Sequence, residues 1–251
     1  MFGLLKKSIK ASAPQSRIPD GQRVYAIGDI HGRLDLLDSL MALIEADDAE
    51  RGSADTQIIF LGDLVDRGPH SAGVVERSIE VARARPGTRF LTGNHEEVFL
   101  KALAGDEKAL RLFCRIGGRE TILSYGIPAD QYAQLDFEEL AAELQQIVPA
   151  HHRDFLATFE DLIEIGDYAF VHAGVRPEVP LFEQQASDLR WIRDVFLNHR
   201  APLERIIVHG HTITAEIETR PNRIGIDTGA YASGKLSALG LEGDMRWILS
   251  T

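Results

Sequence analysis

Apolar residues in this chain fall into two textures, and their alternation predicts the layout. Short, mostly apolar runs at 24–27, 58–61, 89–91, 169–171, 206–208 and 224–226 have the length and content of buried strands. Between the first three, apolar positions recur at helical spacing. Leu36, Leu37, Leu40, Leu43 and Ile44 mark a helix over 34–45, and Val74, Val75, Ile79 and Ala82 mark another ending near Ala84, before Pro86 and Gly87. A polar, glycine-containing loop is expected at 47–55. The first ninety-odd residues therefore read β-α-β-α-β.

Residues 98–164 have a helical texture instead. The best-marked helix follows Asp136, a capping residue with Glu139 three positions on. Phe137, Leu140, Leu144 and Ile147 or Val148 line one face, and Pro149 stops it. This stretch reads as a helical insertion over or beside a cleft, with Gly117–Gly118 as a turn and a part in choosing substrate. Beyond it, strands follow with little helix between them, and a hairpin at 236–241 and 245–249 closes the chain around Glu242, Gly243 and Asp244. So many late strands favour an α/β fold of two mixed sheets packed together and flanked by helices over one doubly wound sheet. Residues 1–22 read as an arm and linker, and 23–251 as a single domain carrying the insertion.

Composition narrows the function. The chain has 251 residues, enough for one substantial core, and 44% of them are apolar. With 27 basic against 38 acidic residues the formal charge is -11, which disfavours nucleic acid as the main partner and suits cations. No apolar stretch approaches 18 residues, so no membrane span is expected. The opening MFGLLKKSIKA does not read as a signal peptide, because its apolar run is only 2–5 and lysines follow it. Phe2, Leu5 and Ile9 would form one face of a short helix, either frayed or docked on its own domain. The single cysteine, Cys114, excludes an intrachain disulfide or a cysteine metal cluster and fits a cytoplasmic location. It is not a Cys-x5-Arg nucleophile, since position 120 is Glu and Arg119 comes one residue early; it reads as a buried structural thiol.

The apolar runs end in a recurring set of polar groups: Asp29 and His31, then Asp63, then Asn94, then His172, then His211. Taken singly, each is a turn, cap or core residue. Recurrence beside glycine points to a metal site. Asp, Asn and His without thiolate suit manganese, iron or zinc, and there are ligands for two ions with Asp63 placed to bridge them.

The motifs GDIHG (28–32), GDLVDRG (62–68), GNHE (93–96), HAG (172–174) and HGHT (209–212) resemble the metal-dependent phosphoesterase superfamily. More narrowly, GDLVDRG with GNHE, and GGRETILSYG at 117–126, resemble the serine/threonine protein phosphatases and their bacterial and phage relatives. The resemblance implies that Asp29, His31 and Asp63 hold one divalent ion. Asp63 would bridge to a second, held also by Asn94, His172 and His211, with manganese the expected metal. His209 would stand behind the ligands, and Ile213 replaces a further histidine found in other branches. A hydroxide bridging the ions would attack phosphorus, His95 paired with Asp66 would protonate the leaving group, and Arg67 and Arg193 would bind phosphate. Asp227 reads either as an orienter of the late histidines or as a turn cap. The implied function is phosphomonoester hydrolysis on a phosphoprotein or small phosphorylated substrate, with serine/threonine or dual specificity. Symmetrical diadenosine tetraphosphate hydrolysis is the alternative. A non-catalytic phosphate-binding protein on this scaffold is the contrasting class, disfavoured because every expected position is filled.

Overall fold

A computed structural model describes residues 16–251. The expected N-terminal helix face lies outside the described residues. Strand β1 (Gln22–Ile27), helix α1 (Leu34–Arg51), β2 (Asp55–Phe60), α2 (Ser71–Ala84) and β3 (Arg89–Phe90) form the opening β-α-β-α-β unit. Helices α3 (Asn94–Leu103), α4 (Glu107–Phe113), α5 (Arg119–Ser124), α6 (Ala129–Tyr132), α7 (Phe137–Ile147) and α8 (Ala150–Leu156) follow. The chain then returns to strands: β4 (Ile163–Ile165), β5 (Tyr168–Phe170), short helices α9 (Ala186–Trp191) and α10 (Asp194–Leu197), β6 (Ile206–His209), β7 (Glu218–Thr219) and β8 (Arg223–Gly225). One turn of helix, α11 (Ala230–Ser233), precedes the final hairpin β9 (Ser237–Glu242) and β10 (Met245–Ser250).

The strands form two five-stranded mixed sheets, ordered β10-β9-β1-β2-β3 and β4-β5-β6-β8-β7. Strand β1 shows why its run is apolar throughout. Val24 and Ala26 pack with Phe170, Val208 and Ile224 of the facing sheet, while Tyr25 and Ile27 pack under the helices. Each side chain this size, once buried, contributes about 1.5–3 kcal/mol. A third apolar cluster, with Ala169 and Ile207 on the sheet and Leu189 and Phe196 from α9 and α10, covers the outer face of the second sheet. Sheets face each other and helices cover both outsides, the two-sheet sandwich expected from the sequence.

Three local expectations need correcting. Helix α1 runs on to Arg51, into the first half of the polar stretch given to a loop, and the loop is confined to residues 52–54. Its alanines keep helix propensity high, and Asp47 accepts from Tyr25 Oη (2.6 Å), Trp247 Nε1 (2.8 Å) and Arg51 Nε (2.8 Å), so this polar turn is anchored to the sheet. Gly117–Gly118 is not a free turn between helices. It is a kink: Gly117 leaves helical backbone (φ 122°) within Cys114–Gly118, the stretch that joins α4 to α5. Cys114 is half-buried against the core rather than fully enclosed. The α7 cap is as read: Asp136 accepts from the Glu138 and Glu139 amides, and Glu139 answers through the Asp136 amide. No helix among the described residues is long and apolar enough to cross a membrane.

Candidate metal centre

Parallel pairing of β1 with β2 and β2 with β3, and of β5 with β6 and β6 with β8, aims their C-terminal ends the same way. The loops beyond those ends carry Asp29, His31, Asp63, Asn94, His172 and His211, all buried. The backbone there is under steric pressure. Among the described residues six non-glycine residues have positive φ, and five are His31, Asp63, Asp66, Arg67 and His211. Left-handed backbone at five site residues, held by surrounding structure, is characteristic of a functional centre.

Two clusters share Asp63: one with His31 and His95, one with His172 and His211, with candidate ligand atoms within 4.8 Å of each other. Asp63 Oδ2 lies 3.5 Å from His31 Nε2, and its Oδ1 lies 3.5 Å from His172 Nε2. His31 Nδ1 is 2.7 Å from the Val65 carbonyl and His172 Nδ1 is 2.8 Å from the Leu61 carbonyl. Each Nδ1 must therefore donate its proton there, which leaves Nε2 as a lone pair aimed inward. His172 Nε2 also faces Asn94 Oδ1 at 3.1 Å. Nitrogen and oxygen lone pairs thus converge on each other, an arrangement that bound cations satisfy. His211 Nε2 is buried without a hydrogen-bond partner. Gly210 lets the backbone pass Asp29; a Cβ there would meet Asp29 Oδ1 at 2.0 Å.

The electrostatics agree. Burial lowers His31 to about 3 and also lowers His172 and His211, so these rings are neutral and ready to ligate. Burial opposes charge on Asp63, but His172, His95 and His31 outweigh it and keep the carboxylate ionised. Asp29 is pushed up by burial, then by Asp227 and Asp63, and Asp227 by burial to about 6. Packed buried carboxylates with too few counter-charges are relieved by bound cations. The donor set fits two divalent ions; it does not choose among metals.

Around this set, Asp66 Oδ2 stands 2.5 Å from His95 Nδ1. Arg67 forks across the rim of the first cluster, donating to His31 Nε2 at 2.8 Å and His95 Nε2 at 2.9 Å. A cation on His31 Nε2 must displace the first of these bonds. Arg193 is exposed, and its charge helps lower His172 and His211, which puts it beside the second cluster. His209 turns away: its ring packs edge-on against Phe196, with Nε2 3.4 Å from Arg223. Asp227 accepts from the Gly229 amide at 2.8 Å and also hydrogen-bonds Asp29, so it both caps a turn and touches a candidate ligand.

Sequence reasoning passed over two groups. Glu96, fully buried, accepts from the amides of Asp63 (2.8 Å), Leu64 (2.8 Å), Val65 (3.3 Å) and Gly93 (3.0 Å). It stakes out the loop that carries Asp63, and its signal was the last letter of GNHE. Thr121 Oγ1 donates to Asp66 Oδ1 at 2.7 Å and accepts from the Asp66 amide at 2.8 Å. Gly117 (φ 122°) accepts from the Arg67 amide at 3.0 Å and lies where a Cβ would strike Arg67 Cγ at 2.7 Å. The helical segment therefore braces the Asp66–Arg67 turn. Glu96→Gln is expected to destabilise the fold by about 2–4 kcal/mol, since an amide NH2 would replace one accepting oxygen. The melting temperature should drop by roughly 5–15 °C. An unchanged melt with full metal uptake would show that the Asp63 loop holds its shape without Glu96.

The calcineurin-like phosphoesterase model matches residues 22–232. Two curated relatives span most of the chain. An asymmetrical bis(5'-nucleosyl)-tetraphosphatase of Bacillus velezensis is 25% identical over 237 residues, covering 84% of this chain and 86% of its own. Serine/threonine-protein phosphatase 2 of Escherichia coli is 28% identical over 229 residues, covering 86% and 91%. Among solved structures, a putative diadenosine tetraphosphatase superposes with a TM-score of 0.62 at 22% identity, over 92% of this chain and 94% of its own, a likeness of fold.

Proposed function

The chain belongs to the calcineurin-like phosphoesterases, metal-dependent hydrolases of phosphoric esters, and from that premise we propose that it cleaves the phosphoanhydride chain of bis(5'-nucleosyl) tetraphosphates. The observation carrying this reading is that relatives spanning more than four-fifths of the chain, from Bacillus, Anoxybacillus and Halalkalibacterium, bear that activity in their names. Their asymmetrical cleavage favours ATP and AMP as products over the symmetrical cut that the sequence offered as the alternative to protein phosphatase activity. Tyr231 adds a physical reason. Its partly exposed ring lies 4.9 Å from the Arg67 guanidinium and edge-on to His31 at 5.4 Å. An aromatic face beside the phosphate-binding position suits a nucleobase.

Asp29, His31 and Asp63 would hold one ion and Asp63, Asn94, His172 and His211 the other. When bound, two such ions supply Lewis acidity, acidifying water and neutralising phosphoryl oxygens. The protein's own groups do the rest. Arg67 gives up its bonds to the two imidazoles and presents its fork to a phosphoryl group, and Arg193 offers a second cation near His172 and His211. Asp66 holds the His95 ring so that Nε2 faces the departing oxygen and delivers its proton there. Manganese remains the preferred metal of this reading, with iron or zinc as alternatives.

Protein phosphatase activity is the second reading, favoured by the E. coli relative. The two separate by kcat/KM under identical Mn²⁺ conditions. Diadenosine tetraphosphate is expected to exceed phosphoserine and phosphothreonine peptides by at least about 100-fold, which corresponds to about 2.7 kcal/mol. Equal or better use of the peptides would replace the first reading with the second.

A further inference from the structure

Away from the centre, α2 and α8 meet at a third cluster. Glu76 Oε2 lies 3.0 Å from His151 Nε2 and 2.8 Å from His152 Nε2. The three candidate ligand atoms fall within 4.8 Å of one another. His152 is buried, and its other nitrogen, Nδ1, lies 2.9 Å from Tyr125 Oη. Glu76 and His151 are open to solvent, with side-chain exposures of 43% and 54%.

We infer that Glu76, His151 and His152 form a third divalent-metal site, a zinc-type clip that ties α8 to α2 and leaves a solvent-facing position for water. Two imidazoles and one carboxylate, with no thiolate, are a donor set zinc accepts with water as the fourth ligand. Zinc bonds of about 2.0–2.1 Å at tetrahedral angles place ligand atoms about 3.3 Å apart, so the two spacings from Glu76, 3.0 and 2.8 Å, open by only a few tenths of an ångström. Both Nε2 atoms meet a single carboxylate oxygen at hydrogen-bond distance, and an ion would take the place of the protons they share. Tyr125 supplies the outer partner: with Nε2 ligating, the Nδ1 proton of His152 points at the phenol oxygen, fixing ring and tautomer. Burial lowers His152 against the pull of Glu76, so its ring is neutral, the ligating form. Sequence supports the geometry: an adjacent histidine pair follows Pro149 at the helix start, and residue 76 stands one turn into the exposed flank of α2.

The clip would act on stability. Helix α5, which carries Thr121, also places Ser124 on the Ala72 amide of α2 at 3.0 Å and Tyr125 against His152. Helices α2, α5 and α8 thus form one packed unit, and an ion joining two of them stiffens the platform that supports Asp66.

The test uses the full chain with Zn²⁺ alone as the probe. After equilibration with excess Zn²⁺ and desalting, the wild-type protein is expected to retain three equivalents per chain and His151→Ala two. Zn²⁺ should raise the melting temperature of the wild type beyond that of His151→Ala. Tyr125→Phe should keep the site but weaken its zinc affinity by about tenfold or more, the usual effect of losing an outer-shell partner. Equal zinc content and equal zinc-induced melting shifts in wild type and His151→Ala would overturn the site and leave an ion-paired histidine cluster. Unchanged affinity in Tyr125→Phe would remove His152 as a ligand, and the site with it.

Discussion

Asp63→Asn is expected to lose two-metal occupancy and at least about 1000-fold in kcat/KM, a loss of about 4 kcal/mol of transition-state stabilisation. The reason lies in what surrounds the carboxylate. One oxygen faces His31 Nε2 and the other His172 Nε2, each at 3.5 Å, and both nitrogens are lone pairs because their partner nitrogens donate to carbonyls. Asparagine removes the charge and turns one oxygen into a donor. That NH2 can hydrogen-bond to an imidazole lone pair directly, filling by itself the role of one ion. The fold should survive: Asn tolerates the left-handed φ of 53°, and the Glu96 bonds run to the backbone of this residue. The metal-free variant should melt somewhat below metal-free wild type, since it loses a carboxylate that His172, His95 and His31 hold ionised, a charge that stabilises the fold at neutral pH. Elemental analysis, kcat/KM and a melt are measured on the same preparation. Two tightly held ions with retained turnover would show that Asp63 does not join the clusters.

The sequence exposed the ligands because each sits one to four residues past an apolar run, where strand, turn and ligand are local neighbours. The two-sheet layout was legible for the same reason: late strands came without crossover helices. What supports the ligands was hidden, because it is tertiary. Thr121 is 55 residues from Asp66, and only the folded α5 brings the hydroxyl to the carboxylate. Glu96 stood in a quoted motif, yet its four amide partners lie on a loop more than thirty residues upstream and at Gly93. Strands β4 and β7 were missed because two or three residues carry no period, and pairing alone defines them. The polar end of α1 misled for the opposite reason: its acids and arginine look like loop, but they pair with each other and with Tyr25 and Trp247.

His95→Asn should slow substrates with poor leaving groups by about 100-fold or more, the usual range for a positioned general acid, and slow p-nitrophenyl phosphate far less. Nitrophenolate departs without a proton; an alkoxide does not. Geometry gives the ring its task. Asp66 Oδ2 at 2.5 Å fixes Nδ1, and Nε2 faces the rim where Arg67 now donates. Burial opposes a charged ring here, but Asp63 and Asp66 outweigh it and hold His95 above the ordinary imidazole value. The sign for pH follows. The proton-bearing ring is the active form, and it is lost as pH rises through the His95 pKa, so activity on poor leaving groups falls on the alkaline side. Asp66→Asn removes one of the charges that raises this pKa. Its alkaline limb should therefore move to lower pH. Equal losses across leaving groups in His95→Asn, or an unmoved limb in Asp66→Asn, would assign the pair to structure alone. A shared shift in both readouts is harder to obtain from a merely disturbed loop, because disturbance lowers kcat without selecting for leaving-group basicity.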